Sequence, residues 1–134
     1  MASPLIRTSP TAVSTGSTGR RRLAEARGRR AERLACWWLR LKGWRLLAER
    51  VRVNGGEVDL VMRRGKTLAF IEVKQRATVH AADWALDRQR LTRVAVAARL
   101  LAPRFRSGCN IIRIDAVLIV PGHLPRHLEH VWFG

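Results

Sequence analysis

Two carboxylates and a lysine lie inside extended apolar segments, where a buried charge is costly unless it has a partner or a function. Asp59 belongs to the alternating run Glu-Val-Asp-Leu-Val-Met, and Glu72 and Lys74 belong to Leu-Ala-Phe-Ile-Glu-Val-Lys. Val, Ile and Phe favour strands, and the two-residue period of a strand places Glu72 and Lys74 on one face. These three residues are therefore the first candidates for a functional site.

The segment between the two runs predicts how the charged residues meet. Arg63-Arg64-Gly65-Lys66 is a polar turn, so the runs are expected to form a β-hairpin. Adjacent strands lie about 4.8 Å apart, which in a suitable register brings Asp59, Glu72 and Lys74 to one point. Two carboxylates that close repel unless a cation lies between them, and hard oxygen ligands suit Mg²⁺. This arrangement predicts metal-dependent phosphodiester hydrolysis; the alternative is a set of cross-strand ion pairs on a solvated face.

The same residues resemble a known motif. Asp59, followed by Glu-Val-Lys at positions 72–74, is similar to the PD-(D/E)XK nuclease motif. The strings GGEVDLV, FIEVKQR and RIDAVLIV resemble the YraN family of bacterial proteins, over most of the chain from about Gly28 to Phe133. The resemblance implies a restriction-endonuclease-like fold related to Holliday junction resolvases, with Mg²⁺ or Mn²⁺ as cofactor.

The resemblance also implies roles for single residues. Asp59 and Glu72 match the metal ligands, and Lys74 matches the lysine that assists catalysis. Glu32 resembles a helix glutamate that reaches toward the metal in resolvase-like nucleases; the other interpretation of Glu32 is a surface ion pair. The chain departs from the family pattern where Arg50 replaces the usual asparagine, and we expect altered local contacts there.

The charge of the chain indicates its partner. Lys and Arg number 26 against 10 Asp and Glu, a net charge of +16, and such a field favours nucleic acid over acidic small molecules. Arginine, which makes bidentate phosphate contacts, dominates the basic residues. The alternative is a solvated basic surface that reflects arginine-rich coding. The candidates for nucleic-acid contact are Arg29, Arg30, Arg33, Arg76, Arg88 and Gln89.

Periodicity and turn signals predict a single α/β domain over residues 20–134, preceded by a disordered tail over residues 1–19. The predicted core is α-β-β-β-α-β, a mixed central sheet flanked by helices. Its elements are a helix over 20–42, strands over 44–53, 57–62 and 68–74, a helix over 83–102 that Pro103 ends, a strand over 111–120 and a short edge strand over 128–133.

The remaining signals narrow the class of protein. The two cysteines lack metal-binding spacing, which fits a reducing cytoplasm. No apolar run reaches the roughly 20 residues of a membrane span. Asp115 is more simply interpreted as the ion-pair partner of Arg113 than as a further catalytic acid. The three histidines near the C-terminus are interpreted as ordinary loop residues rather than a metal site.

Two functions fit these observations. The first is an endonuclease that uses Mg²⁺ or Mn²⁺ to hydrolyse DNA, including branched or structured DNA. The second is a non-catalytic basic protein that binds DNA or structured RNA. DNA is favoured over RNA in both, and a homodimer is implied only by the family resemblance.

Overall fold

The computed structural model describes residues 8–80 and 87–132, and its elements follow the order α-β-β-β-α-β-β. Helix α1 spans Thr8–Leu41, strands β1, β2 and β3 span Arg45–Val53, Gly56–Arg64 and Thr67–Gln75, helix α2 spans Arg88–Phe105, and strands β4 and β5 span Ile111–Ile119 and Arg126–Leu128. This order confirms the predicted core with its additional terminal strand.

The five strands form one mixed sheet in the order β1-β2-β3-β4-β5. Strands β1, β2 and β3 form an antiparallel meander, whereas β4 runs parallel to β3 and β5 antiparallel to β4. A parallel neighbour requires a crossover connection, and α2 lies in that connection. The prediction that the apolar β4 lies inside the sheet is confirmed, because β4 lies between β3 and β5.

The alternation of side chains in β2 and β3 builds a core on each face of the sheet. Leu60, Met62 and Ile71 pack with the C-terminal part of α1, around Ala35 and Leu39. The intervening strand residues form a second cluster with α2, whose members include Val61, Leu68, Phe70, Leu91, Val94, Ala97 and Leu101. The sheet is therefore covered on both faces, and its functional residues have to emerge at an end or an edge.

The N-terminal helix is longer than predicted. It begins at Thr8 rather than Arg20, so part of the segment predicted to be a disordered tail is helical, and residues 1–7 lie outside the described residues. Helix propagation is far easier than nucleation, which lets a helix extend into residues of weak propensity. By its packing the chain divides into two compact units, Met1–Arg30 and Ala31–Gly134, and the sheet and both cores belong to the second.

Helix α2 starts and ends later than predicted. Its N-cap is Asp87, whose side chain accepts hydrogen bonds from the N–H groups of Gln89 and Arg90, and the predicted start at residue 83 lies outside the described residues. Pro103 lies inside the last turn and does not end the helix. The helix continues to Phe105 because a missing N–H removes only one intrahelical bond, and the next turn closes when Arg106 N–H donates to Ala102 O.

The last strand lies at the sheet edge as predicted, but it occupies residues 126–128 rather than 128–133. His130 ends the extended conformation because its φ is 55°, in the left-handed region. Beyond it, Val131 N–H donates to Ile114 O, and Trp132 packs against the core on the α2 side. Phe133 lies outside the described residues.

Candidate functional site

Strands β2 and β3 stop pairing where the acidic residues begin. Their ladder runs from Arg64 opposite Thr67 to Leu60 opposite Ile71. One step further, the Oδ2 atom of Asp59 accepts a hydrogen bond of 2.7 Å from the backbone N–H of Val73. The carboxylate thus takes the place of a backbone carbonyl and is held at a fixed position beside Glu72.

Glu72 is the most buried acid of this group, with 1% of its surface exposed. Its Oε2 atom accepts a hydrogen bond of 2.8 Å from Arg90 Nε and lies 3.2 Å from Lys74 Nζ. Its Oε1 atom is buried and has no hydrogen-bond partner among the described residues. Buried polar atoms are nearly always paired, so this oxygen points to a group that completes the site.

Asp59 and Glu72 perturb each other electrostatically. Burial raises the pKa of the Asp59 carboxyl to about 8, and the neighbouring Glu72 acts in the same direction. The Arg90 guanidinium, 3.8 Å from Asp59 Oδ1, favours the ionised form but does not outweigh these effects. Ionising both carboxyl groups is unfavourable in the absence of a cation, so a cation that binds both of them would be strongly stabilised.

Arg90 was not among the predicted site residues, although the structure places it at the centre of the site. Its guanidinium contacts Glu72 and lies close to Asp59. Burial alone would lower its pKa, but the charges of the neighbouring acids hold the pKa above its ordinary value. The sequence does carry a signal: Arg90 precedes Val94 by four residues and Ala97 by seven, and both of these face the sheet.

The site opens into a cleft of about 610 Å³ between α1, β1, β2 and α2. Its lining residues are Glu32, Arg50, Arg52, Glu57, Val58, Asp59 and Arg90. Glu32 lies 3.5 Å from Arg50, and Glu57 lies 3.3 Å from Arg93 on α2. The structure therefore brings Glu32, Asp59, Glu72 and Lys74 to one region, with arginines between the acids.

The structure places Glu32 in an ion pair, and its role toward a metal stays a prediction. It forms an ion pair with Arg50, and it also faces the cleft that contains Asp59. Burial raises the pKa of the Glu32 carboxyl, while the Arg50 charge opposes that shift. Arg50 itself has φ 52°, a left-handed conformation that asparagine adopts more easily than arginine. The expected change in local contacts thus has a backbone origin.

Comparison with known proteins identifies the family. The family model described as "Uncharacterised protein family UPF0102" matches residues 31–119. The chain belongs to the UPF0102 family. A UPF0102 protein from Sphingopyxis alaskensis is 62% identical over 84% of this chain and 97% of its own length. One from Rhizorhabdus wittichii is 51% identical over 86% of this chain and 98% of its own length. The resemblance to the YraN family is thereby confirmed.

A solved structure supports the fold. The UPF0102 chain is similar to Hjc, a Holliday junction resolvase from Archaeoglobus fulgidus, with a TM-score of 0.55 and 22% identity over 77% of this chain and 72% of that chain. The likeness at this identity concerns the fold. It confirms the predicted restriction-endonuclease-like α/β architecture.

The acidic pair of this UPF0102 chain fits a hard divalent cation in its chemistry. Asp59 and Glu72 supply carboxylate oxygens, and Glu72 Oε1 is the unpaired buried atom such an ion would engage. Within the described ranges, no group of three or more His, Cys, Asp or Glu side chains is arranged to hold a metal. The fit therefore rests on two carboxylates, and Arg90 forms an ion pair with each of them.

The predicted nucleic-acid contacts lie on different parts of the chain. Arg29 and Arg30 are exposed on the helical segment of the first unit, and Arg33 is exposed further along α1 in the second. Arg76 follows β3 and is half-buried. Arg88 stacks over the Trp132 ring at 5.1 Å, and Gln89 is exposed at the start of α2. Among residues 8–80 and 87–132, neither helix is both long and apolar enough to cross a membrane.

Asp115 forms a separate, structural cluster, as predicted. It is fully buried and accepts two hydrogen bonds from Arg113, one from the backbone N–H of His130 and, at 2.8 Å, pairs with His127 Nε2. Burial by itself would raise its pKa, but these hydrogen bonds hold the pKa below its ordinary value. His127, which lies on β5 rather than in the predicted loop, joins this network through its ring, and His130 joins it through its backbone N–H.

Proposed function

We propose that this protein is a metal-dependent nuclease that hydrolyses phosphodiester bonds in DNA, including branched or structured DNA. One observation carries the proposal: Glu72 is buried with one carboxylate oxygen that has no hydrogen-bond partner among the described residues, and it lies beside Asp59, a second buried carboxylate, which lines an open cleft. Burying such a pair is unfavourable and needs a compensating function. Phosphate diesters are the substrate class that the basic surface of the chain attracts.

In this proposal Asp59 and Glu72 hold Mg²⁺ or Mn²⁺, and Glu32 contributes directly or through water. The bound cation supplies Lewis-acid stabilisation of the charge that develops on the phosphoryl group. Lys74, held 3.2 Å from Glu72, places a positive charge beside the reacting phosphate. The Val73 N–H fixes the orientation of Asp59, so little reorganisation is needed when substrate binds.

The basic residues position the nucleic-acid backbone. Arg33, Arg76, Arg88 and Gln89 offer phosphate contacts in the second unit, and Arg29 and Arg30 offer them in the first. Such contacts fix register without reading sequence, which fits a substrate recognised by shape. The likeness to a Holliday junction resolvase supports this substrate class, and the proposed homodimer rests on the family resemblance. The free cysteines Cys36 and Cys109 fit the proposed cytoplasmic location.

The test is cleavage of labelled linear, nicked, flap and four-way-junction DNA with Mg²⁺, with Mn²⁺ or with EDTA. We expect metal-dependent cutting by the wild type, and its loss in Asp59→Asn and Glu72→Ala with DNA binding retained. Glu129→Gln is the matched control, because Glu129 is an exposed acid that pairs with Arg113 away from the cleft. Cutting that survives Asp59→Asn would refute the assigned role.

The second candidate, a non-catalytic binding protein, is favoured by one observation. Arg90 and Lys74 already balance the charge of Glu72 without a metal. That function predicts binding that weakens steeply with salt, as phosphate contacts do, and that is indifferent to EDTA. Tight binding with no cleavage of any DNA in the panel would establish it over the nuclease.

A further inference from the structure

A second depression, of about 460 Å³, lies between α1 and β1. It has apolar walls and a charged rim. The walls include Trp37, Leu41 and Leu46, and the rim is formed by Arg33, Arg40 and Glu49. Trp37 is 54% exposed and Leu41 is 64% exposed, and the two line the same depression, so they form a shared apolar surface rather than isolated exposed side chains.

This depression adjoins the candidate nuclease cleft. Arg33 follows Glu32 on α1, and Glu49 precedes Arg50 on β1; Glu32 and Arg50 line the cleft. On α1 and on β1 alike, one residue lines the cleft and its neighbour in the sequence lines the depression, so the two share a border. Along α1, Trp37 lies five residues beyond Glu32, a rise of about 7.5 Å, which is comparable to the spacing of neighbouring phosphates in an extended strand.

We propose that the depression binds an unpaired base of the nucleic acid, which makes a bulged or displaced nucleotide part of the recognised substrate. The proposal rests on the proposed function, since the strand has to lie in the cleft. An exposed indole stacks on any base, and Trp37 is the ring available for that contact. Glu49 offers a carboxylate acceptor for the amino group of the base.

Charge complementarity selects nucleic acid as the occupant. Arg33 lies four residues before Trp37 and Arg40 three residues after it, so both cations flank the ring on one side of α1. Phosphates on either side of a stacked base would neutralise them. A second copy of the chain docked symmetrically on this face would bring the same arginines against one another, which is unfavourable for self-association through this face.

The experiment measures affinity by fluorescence anisotropy in EDTA, so that cleavage plays no part. The probes are a labelled duplex with one bulged adenine, the same duplex with an abasic bulge, and the fully paired duplex. We expect the wild type to prefer the bulged adenine over both others. Because stacking of one base contributes about 1–3 kcal/mol, Trp37→Ala should reduce the preference for the bulged adenine by roughly 5- to 150-fold.

Two further variants separate stacking from other roles. Trp37→Phe keeps an aromatic ring and should retain most of the preference. Leu34→Ala changes another exposed apolar residue of α1, 39% exposed and outside the depression, and should leave the preference unchanged. Sedimentation of the same variants reports whether this face joins two copies of the chain.

Several outcomes would overturn the inference. Equal affinity of the wild type for the three DNAs, or no binding to any of them, would do so. So would a dimer that both Leu34→Ala and Trp37→Ala dissociate, since the occupant would then be a second copy. A bulge preference that depends on Trp37, in a protein that cuts no DNA, would support the base site while refuting the nuclease.

Discussion

Replacing Arg90 with glutamine should strengthen Mg²⁺ binding while weakening the metal-free protein. The guanidinium contacts Glu72 at 2.8 Å and lies 3.8 Å from Asp59, so it competes with a cation for both carboxylates. Binding of Mg²⁺ requires Arg90 to move away or to share the carboxylates. Glutamine removes the competing charge and leaves the two acids to repel each other.

The size of the effect follows from the distances. At an effective dielectric constant of about 20, two unit charges about 4 Å apart interact by about 4 kcal/mol. The Arg90 side chain is 37% exposed, so solvent screens much of this interaction. We expect a net gain of about 1–2 kcal/mol in metal binding, or roughly 5- to 30-fold in affinity. Unfolding of the metal-free variant should begin at a lower temperature, because buried Glu72 keeps only Lys74 as partner.

Isothermal titration with Mg²⁺ measures the affinity, and thermal unfolding with and without Mg²⁺ measures the linked stability. Arg93→Gln is the matched control: it removes the same charge one turn later on α2, where Arg93 pairs with Glu57 at 3.3 Å and is half exposed. Its effect on Mg²⁺ affinity should be the smaller of the two. An affinity in Arg90→Gln equal to or below that of the wild type would refute the reasoning.

Three further predictions concern stability. Asp115→Asn should destabilise the protein by about 3–5 kcal/mol in urea unfolding, because it breaks a buried ion pair. Since the folded pKa of Asp115 is lowered, its contribution to stability is present above the ordinary pKa of 3.8 and is lost as pH falls through the folded pKa. The variant should therefore lack this loss of stability in acid. Asp59 has the opposite sign: with its pKa raised from 3.8 to about 8, the metal-free protein should lose stability as pH rises between those values, and Asp59→Asn should remove that slope. Gly56→Ala should lower the free energy of unfolding by about 1–3 kcal/mol, because its added Cβ would lie 2.4 Å from Arg93 O. Gly28→Ala, in an open helical position, should be neutral or stabilising. Equal losses of stability in the two variants would contradict the packing argument.

Local patterns were sufficient to predict the hairpin and the meeting of its acids. The run lengths and the turn at residues 63–66 place Asp59 one step beyond the pairing of Leu60 with Ile71, opposite Glu72. Strand alternation then fixes the face, because a slip of one residue would turn the acids to the opposite face of the sheet. The pairing of Asp115 with Arg113 was also predictable, since the two residues lie two apart on one strand.

Features that depend on contacts between elements were not predictable. Arg90 reaches the acids because α2 lies close to β2 at Gly56, where any Cβ would meet the helix backbone. The preceding Gly55, with φ 85°, has the left-handed conformation of a turn, whereas Gly56 serves the close approach of the helix. The end of β5 depends on the left-handed backbone of His130 and on the long-range hydrogen bond to Asp115. Such constraints exist only once the sheet has formed.

The arrangement at Glu72 separates the requirement for folding from the requirement for function. Arg90 and Lys74 neutralise one carboxylate oxygen, so the apolar hairpin can fold without a metal. If stability were the only requirement, apolar residues of similar volume at 59 and 72 would serve as well or better, because buried ion pairs rarely exceed such packing in stability. The unpaired Oε1 of Glu72 and the raised pKa of Asp59 are unfavourable for the metal-free fold. Both become favourable when a cation and a phosphate enter the cleft. The cation binds the carboxylate oxygens of Asp59 and Glu72, and the phosphate accepts hydrogen bonds from the Arg90 guanidinium.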